Sequence, residues 1–295
     1  MVLRHRPDGT LVSDLPPLRR IVPYLLRGRV ESTVYFPMRI EVDDLLAWLE
    51  QVNAGRPADE RITLFHVFLA AISRTIRLRP ETNRFIAGRR TYQRDAITIS
   101  FIVKRHLADE GDETEVRVRF TGHETVDDVR RLVEAAVRPQ RAGTRGADDR
   151  LTAFFMSWPR PVLEGISHLI RRLDYHNALP TPLMGAIPLY TSAYVVNTGS
   201  LGIDPPFHHL YEYGTASVFV AIGRVGKEPV VDPDGAVVAR SCVNLVCSLD
   251  ERATDGFYFA RTAEVLRRLI STPELLADPG LTVADIVPTW PPQRR

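Results

Sequence analysis

The sequence has little of three things, and each shortage excludes a class of protein. It has two cysteines among 295 residues, it has no apolar run long enough to cross a bilayer, and its 38 Lys and Arg nearly cancel its 36 Asp and Glu. A net charge of +2 gives no electrostatic reason to expect nucleic acid or an anionic membrane as a partner. The first twenty residues lack the apolar segment of a secretory signal. These shortages predict a cytoplasmic protein that binds neither membranes nor nucleic acid.

The chain also lacks the spacings that mark metal sites and common nucleophiles. Cys242 and Cys247 lie in one strand-like run at an odd separation, so they are predicted to be buried thiols on opposite faces that cannot bridge each other. The adjacent His208 and His209 lack a third ligand at a metal spacing and would diverge in an extended chain. There is no Gly-x-Ser-x-Gly elbow, and the glycines at 199–202 lack the spacing of a phosphate loop. We expect no metal, and a tight turn at 199–202 that can still line a pocket.

What is present is the pattern of one layered α/β unit. Hydrophobic residues make up 44% of the chain and charged residues 25%, as in soluble globular proteins. A helix from Thr63 to Pro80 is apolar all round in its first half, so it is predicted to be deeply buried, with His66 as a core residue. Other helices are predicted over 43–53, 125–138, 150–174 in two pieces and 255–270, and an exposed loop over 138–149. Strands are predicted within 30–42, 83–120, 187–197 and 215–250. The last of these ranges includes a hairpin at Asp-Pro-Asp-Gly. This mixed order predicts helices packed on one large sheet.

The short stretch SLDERATDG, residues 248–256, concentrates charge at the end of a predicted strand. Asp250, Glu251 and Asp255 lie close together, with Arg252 between them. Neighbouring carboxyl groups can carry out general acid–base chemistry when their environments separate their pKa values. A solvated turn would have the same composition. The residues alone leave both interpretations open.

The surrounding residues resemble a known family. CSLDERATDGFYFARTAEVLRRLISTPELL, residues 247–276, is similar to the C-terminal signature of the acyltransferase component of 2-oxoacid dehydrogenase complexes, a family similar in fold to chloramphenicol acetyltransferase. The family pattern is a strand, then Asp-His-Arg-x-x-Asp-Gly, an amphipathic helix and a Pro-x-x-Leu stop. Asp250, Arg252, Asp255, Gly256 and Pro273 match it. Segments that begin at residues 18, 62, 194 and 216 are similar too, whereas 100–185 lack the Gly-Leu…Pro-Val element of the dehydrogenase subfamily.

The resemblance implies a fold, an assembly and a mechanism. The fold is a two-layer α/β sandwich with a mixed β-sheet and helices packed on it. The assembly is a homotrimer with a tunnel at each subunit interface, where coenzyme A or acyl-CoA meets the acyl acceptor; no metal takes part. In the family, the motif histidine removes a proton from a thiol or hydroxyl, and a hydroxyl from the glycine-turn strand stabilises the oxyanion. We expect a flexible arm over 1–19, one catalytic-type domain over 20–280, a tail over 281–295, and no lipoyl or subunit-binding domain.

The chain departs from the family at the residues that carry the chemistry. Glu251 stands in place of the histidine, and the usual serine falls at Val196 or Asn197. Candidate catalytic residues are therefore Glu251, Asp255, Asn197 and Thr198, with Asp250, Arg252 and Gly256 as structural residues of the motif.

Three functions remain open for such a chain. One is an acyltransferase with an unusual base, either Glu251 or a histidine such as His208 or His209. Another is a catalytically inactive homotrimeric scaffold that binds a protein partner. The third is a ligand-binding or differently reacting descendant that keeps the pocket.

Overall fold

A computed structural model describes residues 6–104, 113–141 and 157–288. Strands and helices are numbered here in chain order. The strands are β1 (Gly9–Leu11), β2 (Thr33–Glu41), β3 (Arg84–Ala87), β4 (Arg90–Arg94), β5 (Ile97–Lys104), β6 (Glu113–Phe120), β7 (Ala193–Asn197), β8 (Val218–Val231) and β9 (Val237–Asp250). The helices are α1 (Pro17–Leu25), α2 (Asp43–Val52), α3 (Leu64–Leu78), α4 (Val126–Arg141), α5 (Arg160–Tyr175), α6 (Thr181–Ala186), α7 (Gly256–Ser271) and α8 (Val283–Ile286). None of the helices in these ranges is long and apolar enough to span a bilayer.

The main sheet has six strands in the order β2-β9-β8-β7-β5-β6. The pairs β5–β7 and β7–β8 are parallel and the other pairs are antiparallel, so the sheet is mixed. A smaller sheet, β1-β4-β3, lies apart from it. The predicted α/β class with a mixed sheet and packed helices is confirmed.

The two faces of the main sheet have different cover. Side chains alternate between the faces of a strand, and on β9 the residues Val243, Leu245, Cys247 and Leu249 enter the main core with side chains of α3 and α7. The opposite face, called the second face below, carries a smaller cluster made of Tyr194, Leu210, Phe219, Ala221 and Val246. The predicted alternation along β9 is thus confirmed, and both cysteines are free, buried and on opposite faces.

Helix α3 is buried along most of its length, as its sequence predicts. Thr63 caps its first turn, and the Nδ1 atom of His66 accepts a hydrogen bond from the Thr63 amide at 3.1 Å. His66 is 8% exposed, and burial lowers its pKa from 6.5 to about 4. The prediction that His66 is a satisfied core residue is confirmed.

Several boundaries differ from those that the sequence predicts. The strand expected over 187–197 begins only at Ala193, because Thr191 and Ser192 bond through side chain and backbone to Thr98 in a preceding turn. Helix α4 extends to Arg141, into the loop predicted over 138–149. Of the helical pieces predicted over 150–174, α5 is one, and residues 150–156 lie outside the described ranges.

The described parts of the predicted arm and tail contact the rest of the molecule. Within the arm predicted over 1–19, β1 pairs with β4, and Arg6 is 1% exposed, with ion pairs to Asp8 at 2.8 Å and Asp174 at 2.9 Å. Within the tail predicted over 281–295, Ile286 on α8 is buried in the main core. A buried guanidinium must be paired, and the Arg6–Asp174 pair holds this part of the arm against α5.

Candidate active site

The turn after β9 is built on a buried ion pair. Asp250 accepts hydrogen bonds from Arg252 Nε at 2.8 Å and Nη2 at 2.7 Å, and both side chains are at most 4% exposed. Two parallel bonds between a guanidinium and a carboxylate fix both position and orientation. The pair therefore sets the course of the chain on either side of Glu251.

Further hydrogen bonds tie this turn to the N-terminal part of the chain. Arg252 Nη1 donates to the carbonyl of Arg27 at 3.1 Å, and the amide of Glu251 donates to the carbonyl of Ser32 at 3.1 Å. Arg19 donates to the carbonyls of Glu251 and Arg252, each at 3.3 Å. With its backbone held and its neighbours buried, Glu251 presents an exposed side chain at the tip of the turn.

Asp255 and Gly256 open α7. The Asp255 carboxylate accepts a hydrogen bond from the amide of Tyr258 at 2.7 Å, so this residue is the helix N-cap. Gly256 is the first residue of the helix, and the space around its Cα would admit a side chain. In this chain Asp255, the second aspartate of the motif, thus caps α7, while Asp250 binds Arg252.

The glycine turn after β7 is a short 3-10 turn, Thr198–Leu201. The Oδ1 atom of Asn197 accepts from the Ser200 amide at 3.2 Å, and the hydroxyl of Thr198 donates to the Ile222 carbonyl at 2.9 Å. A side chain at position 199 would collide with the backbone of Gly223, which explains a glycine there. The Thr198 hydroxyl is thus engaged within one copy of the chain, whereas the Nδ2 donor of Asn197 makes no hydrogen bond to the described residues.

The turn at Glu251 and the turn at Asn197 lie at opposite ends of the main sheet. Asn197 is level with Ile222 on β8, which is level with Leu245 on β9. Glu251 follows Leu245 by six residues, which at about 3.3 Å per residue places it about 20 Å further along the strand direction. One copy of the chain therefore does not bring Glu251 together with Asn197 and Thr198.

The histidine pair lies much nearer to Glu251. The expectation that His208 and His209 diverge is wrong: their rings stack, with centroids 5.1 Å apart, in a segment that belongs to no strand. The Ser248 hydroxyl donates to the His208 carbonyl at 2.5 Å, two residues before Asp250. The His208 ring also stacks on Phe219 at 4.1 Å, on the second face of the sheet.

The hydrogen bond of the His208 ring decides which nitrogen carries the proton. Nδ1 lies 2.6 Å from the carbonyl oxygen of His209. Because a carbonyl oxygen only accepts, Nδ1 carries a proton in this contact. In the neutral form of the ring, Nε2 is then the nitrogen with the lone pair.

Two other kinds of site find no support in the described parts of the chain. No group of three or more His, Cys, Asp or Glu side chains there is arranged to hold a metal ion. Burial raises the pKa of the Cys247 thiol to about 12, so this cysteine is a core residue and not a nucleophile.

A cavity of about 280 Å³ lies on the inner side of the turn. Its lining is basic and aromatic: Arg27, Arg29, Arg89, Arg171, Arg252, Tyr175, Tyr190 and Tyr213 contribute, together with Asp174 and Glu212. These residues come from separate parts of the sequence and form no motif. One local feature of the sequence could have drawn attention to the cavity. In the two-residue loop Gly88-Arg89 between β3 and β4, an arginine takes a position that usually requires glycine or asparagine.

Comparisons with known proteins show what the fold and the turn resemble. The model of the family "2-oxoacid dehydrogenases acyltransferase (catalytic domain)" matches residues 191–277. The lipoamide acyltransferase component of the branched-chain alpha-keto acid dehydrogenase complex of Bacillus subtilis (strain 168) is 21% identical over 237 residues. That match takes in 80% of this chain but 46% of the relative, so the chain spans about half the length of this protein.

Solved structures show the same fold. A probable dihydrolipoamide acetyltransferase from Listeria monocytogenes 4b F2365 aligns with a TM-score of 0.58 at 14% identity, over 93% of this chain and 99% of that one. A chloramphenicol acetyltransferase aligns with a TM-score of 0.52 at 11% identity, over 89% and 98%. The resemblance predicted from the residues is confirmed: the chain carries the C-terminal signature of the 2-oxoacid dehydrogenase acyltransferase domains on the chloramphenicol acetyltransferase-like fold.

Proposed function

We propose that the chain is a CoA-dependent acyltransferase of the 2-oxoacid dehydrogenase catalytic-domain type, which acts as a homotrimer without a motif histidine. The observation that carries the proposal is the intact turn, in which the buried Asp250–Arg252 pair holds the backbone while Glu251 stays exposed at the base position. A single catalytic-type domain over 20–280 and a cytoplasmic location are part of the proposal.

The separation of the two turns supports an assembly of several copies. A base near Glu251 and an oxyanion donor near Asn197 lie about 20 Å apart along the strand direction in one copy, so a complete site needs at least two copies. The second face supports such an assembly, because Tyr35, Ile102 and Phe207 expose large apolar side chains on or beside it. The names of the relatives indicate lipoamide-type acceptors, and the dihydrolipoamide thiol is the matching substrate class.

The reaction needs a base that takes the proton of the acceptor thiol. The thiolate then attacks the thioester carbonyl of acyl-CoA, and collapse of the tetrahedral intermediate expels the CoA thiolate, which takes back the proton. His208 is the candidate base beside Glu251, because in the neutral form of its ring the hydrogen bond of Nδ1 leaves Nε2 to accept the proton. A carboxylate becomes an effective base at neutral pH when it leaves water, and Glu251 meets that condition only if another copy covers it.

A specific observation favours a second candidate, the inactive trimeric scaffold with a protein partner. The position of the motif histidine holds an exposed glutamate, and the hydroxyl of Thr198 donates to the carbonyl of Ile222 within the same copy. A scaffold needs the fold and the trimer but no open path for CoA. The two candidates therefore differ in CoA binding.

The first experiment is calorimetric titration of the purified chain with CoA and acetyl-CoA. Binding with a Kd of about 1 μM, equivalent to about 8 kcal/mol, supports the acyltransferase. No heat at several temperatures supports the scaffold and overturns the acyltransferase.

Acetyl transfer to dihydrolipoamide then identifies the base. Glu251→His restores the family's motif and is expected to raise the rate at least tenfold, whereas the same change at the exposed Glu50 on α2 is the matched control. His208→Gln is expected to abolish the wild-type rate if His208 is the base. A rate that falls in Glu251→Gln but not in His208→Gln would assign the base to Glu251.

A further inference from the structure

The cavity on the inner side of the turn contains a buried cation without an acidic partner of its own. Arg29 is 7% exposed, and its Nη atoms donate to the carbonyls of Glu212 at 3.2 Å and Ile86 at 3.0 Å. Its Nε atom is buried and has no hydrogen-bond partner among the described residues. Two carbonyl oxygens do not neutralise a guanidinium, and a buried cation is costly unless it is paired.

Two of the acids near Arg29 are paired with other arginines. Asp250 accepts from two donors of Arg252, and Asp174 binds Arg6 at 2.9 Å. The Glu212 carboxylate accepts from the amide of Val30 at 2.9 Å and is the acid of the lining that is not paired with an arginine among the described residues. Arg29 itself forms no salt bridge within the described parts of the chain, and the arginines of the lining outnumber Asp174 and Glu212.

Three more arginines add to this charge at the mouth of the cavity. Arg89 lies over the ring of Tyr24 at 5.3 Å and Arg171 over the ring of Tyr213 at 5.2 Å, while Arg27 is exposed. In the described ranges, none of the three forms a salt bridge within 4.0 Å. Contacts with aromatic rings orient a guanidinium but leave its charge in place.

The backbone conformation of Arg89 also supports a functional role for this residue. Gly88 and Arg89 have φ angles of 53° and 60°. They form the two-residue turn of a β-hairpin in which both φ angles are positive, and glycine and asparagine are favoured there. An L-residue other than these is strained there, and such strain is typical of residues held in place for function. The arginine at this position is thus retained at the expense of local stability.

We propose that this cavity binds a small dianionic ligand through a phosphoryl or dicarboxylate group, with Arg29 at its floor and Arg27, Arg89 and Arg171 at its mouth. Drug-sized ligands occupy cavities of about 300–1,000 Å³, so 280 Å³ suits a small metabolite. Arginine is the residue that binds such oxygens in pairs. The site lies behind the candidate active-site turn, and Arg252 belongs to both.

The test measures binding of inorganic phosphate, pyrophosphate and malonate to the full chain by calorimetry and thermal shift, with sodium chloride at matched ionic strength as reference. At least one of these anions is expected to bind and to raise the melting temperature. Binding of phosphate or pyrophosphate identifies a phosphoryl site, and binding of malonate alone identifies a dicarboxylate site. No effect beyond that of sodium chloride overturns the proposal.

Two variants locate the site. Arg89→Gly removes a cation and relieves the positive φ, so it is expected to weaken binding at least fivefold without lowering the melting temperature. Arg29→Gln is expected to abolish binding; if that variant does not fold, Arg171→Gln takes its place with at least a fivefold loss. Arg268→Gln, on the exposed side of α7, is the control. Equal affinity in wild type, Arg89→Gly and the Arg29 or Arg171 variant would place the anion elsewhere and overturn the proposal.

Discussion

At the scale of single residues, the Asp250–Arg252 pair shows why the turn keeps its shape although its histidine position is changed. The pair is buried and bidentate, and Arg252 also reaches the carbonyl of Arg27. Such a pair contributes little net stability compared with apolar residues, but loss of one partner leaves an uncompensated buried charge. Both residues therefore have a structural role that does not depend on catalysis.

Arg252→Gln is therefore expected to lower the free energy of unfolding by about 3–5 kcal/mol, because Asp250 keeps its charge in a buried site. Urea unfolding followed by circular dichroism measures this loss. In Asp250→Asn/Arg252→Gln the charge is gone, and we expect a smaller loss than in the single variant. A single variant as stable as the wild type would show that the pair does not hold the turn.

Asp255 makes a different and smaller contribution. Asp255→Ala removes the N-cap of α7 and is expected to cost about 1 kcal/mol of stability, whereas Asp255→Ser keeps a capping oxygen and most of that stability. Melting temperatures of the two variants test this, with any acyl-transfer rate expected to change little. An unchanged melting temperature and an unchanged trimer in Asp255→Ala would contradict a structural role.

At the scale of elements, α3 shows how one residue can both cap a helix and make stability depend on pH. His66 stays neutral in the folded chain because burial lowers its pKa to about 4, while in the unfolded chain it titrates near 6.5. Between these values the unfolded state binds more protons. Stability from this residue is therefore fully present above pH 6.5 and falls as the pH is lowered towards 4.

His66→Gln removes the titration and keeps a side chain that completes the Thr-x-x-Gln capping box. The wild type is expected to lose about 2 kcal/mol more than this variant between pH 7 and pH 5. Urea unfolding of both proteins at the two pH values measures the difference. Equal losses would mean that His66 is protonated in the folded chain or is not the group that titrates.

At the scale of the whole molecule, the prediction of a trimer rests on the two faces of the main sheet, because helices pack on one face while the second face exposes apolar side chains. Light scattering is expected to give three times the chain mass of 33.3 kDa. Phe207→Asp places a charge on an apolar side chain that is 63% exposed and packs edge-on against Tyr35 at 5.8 Å, and it is expected to yield monomers.

Leu132→Asp, on α4 in the helical layer, is the matched control and is expected to leave the trimer intact. Dissociation by both changes, or by neither, would contradict an interface on the second face.

Local patterns determined much of the fold from the sequence alone. The alternation of Val243, Leu245, Cys247 and Leu249 fixes the core side of β9, because successive side chains of a strand point to opposite faces. The apolar first half of α3 and the turn signals of the β8–β9 hairpin act over a few residues in the same way. The motif around Asp250 likewise revealed the resemblance to the acyltransferase family from the order of its residues.

Only the tertiary structure decided what depends on contacts between distant segments. Strand register separates Glu251 from Asn197, the path of residues 203–213 brings His208 beside Ser248, and Arg6 is buried although its surroundings in sequence are polar. The basic cavity has the same origin, since Arg29, Arg89 and Arg171 meet through folding. Composition and periodicity describe neighbours along the chain, whereas pairing of charges and closure of cavities are set by neighbours in space.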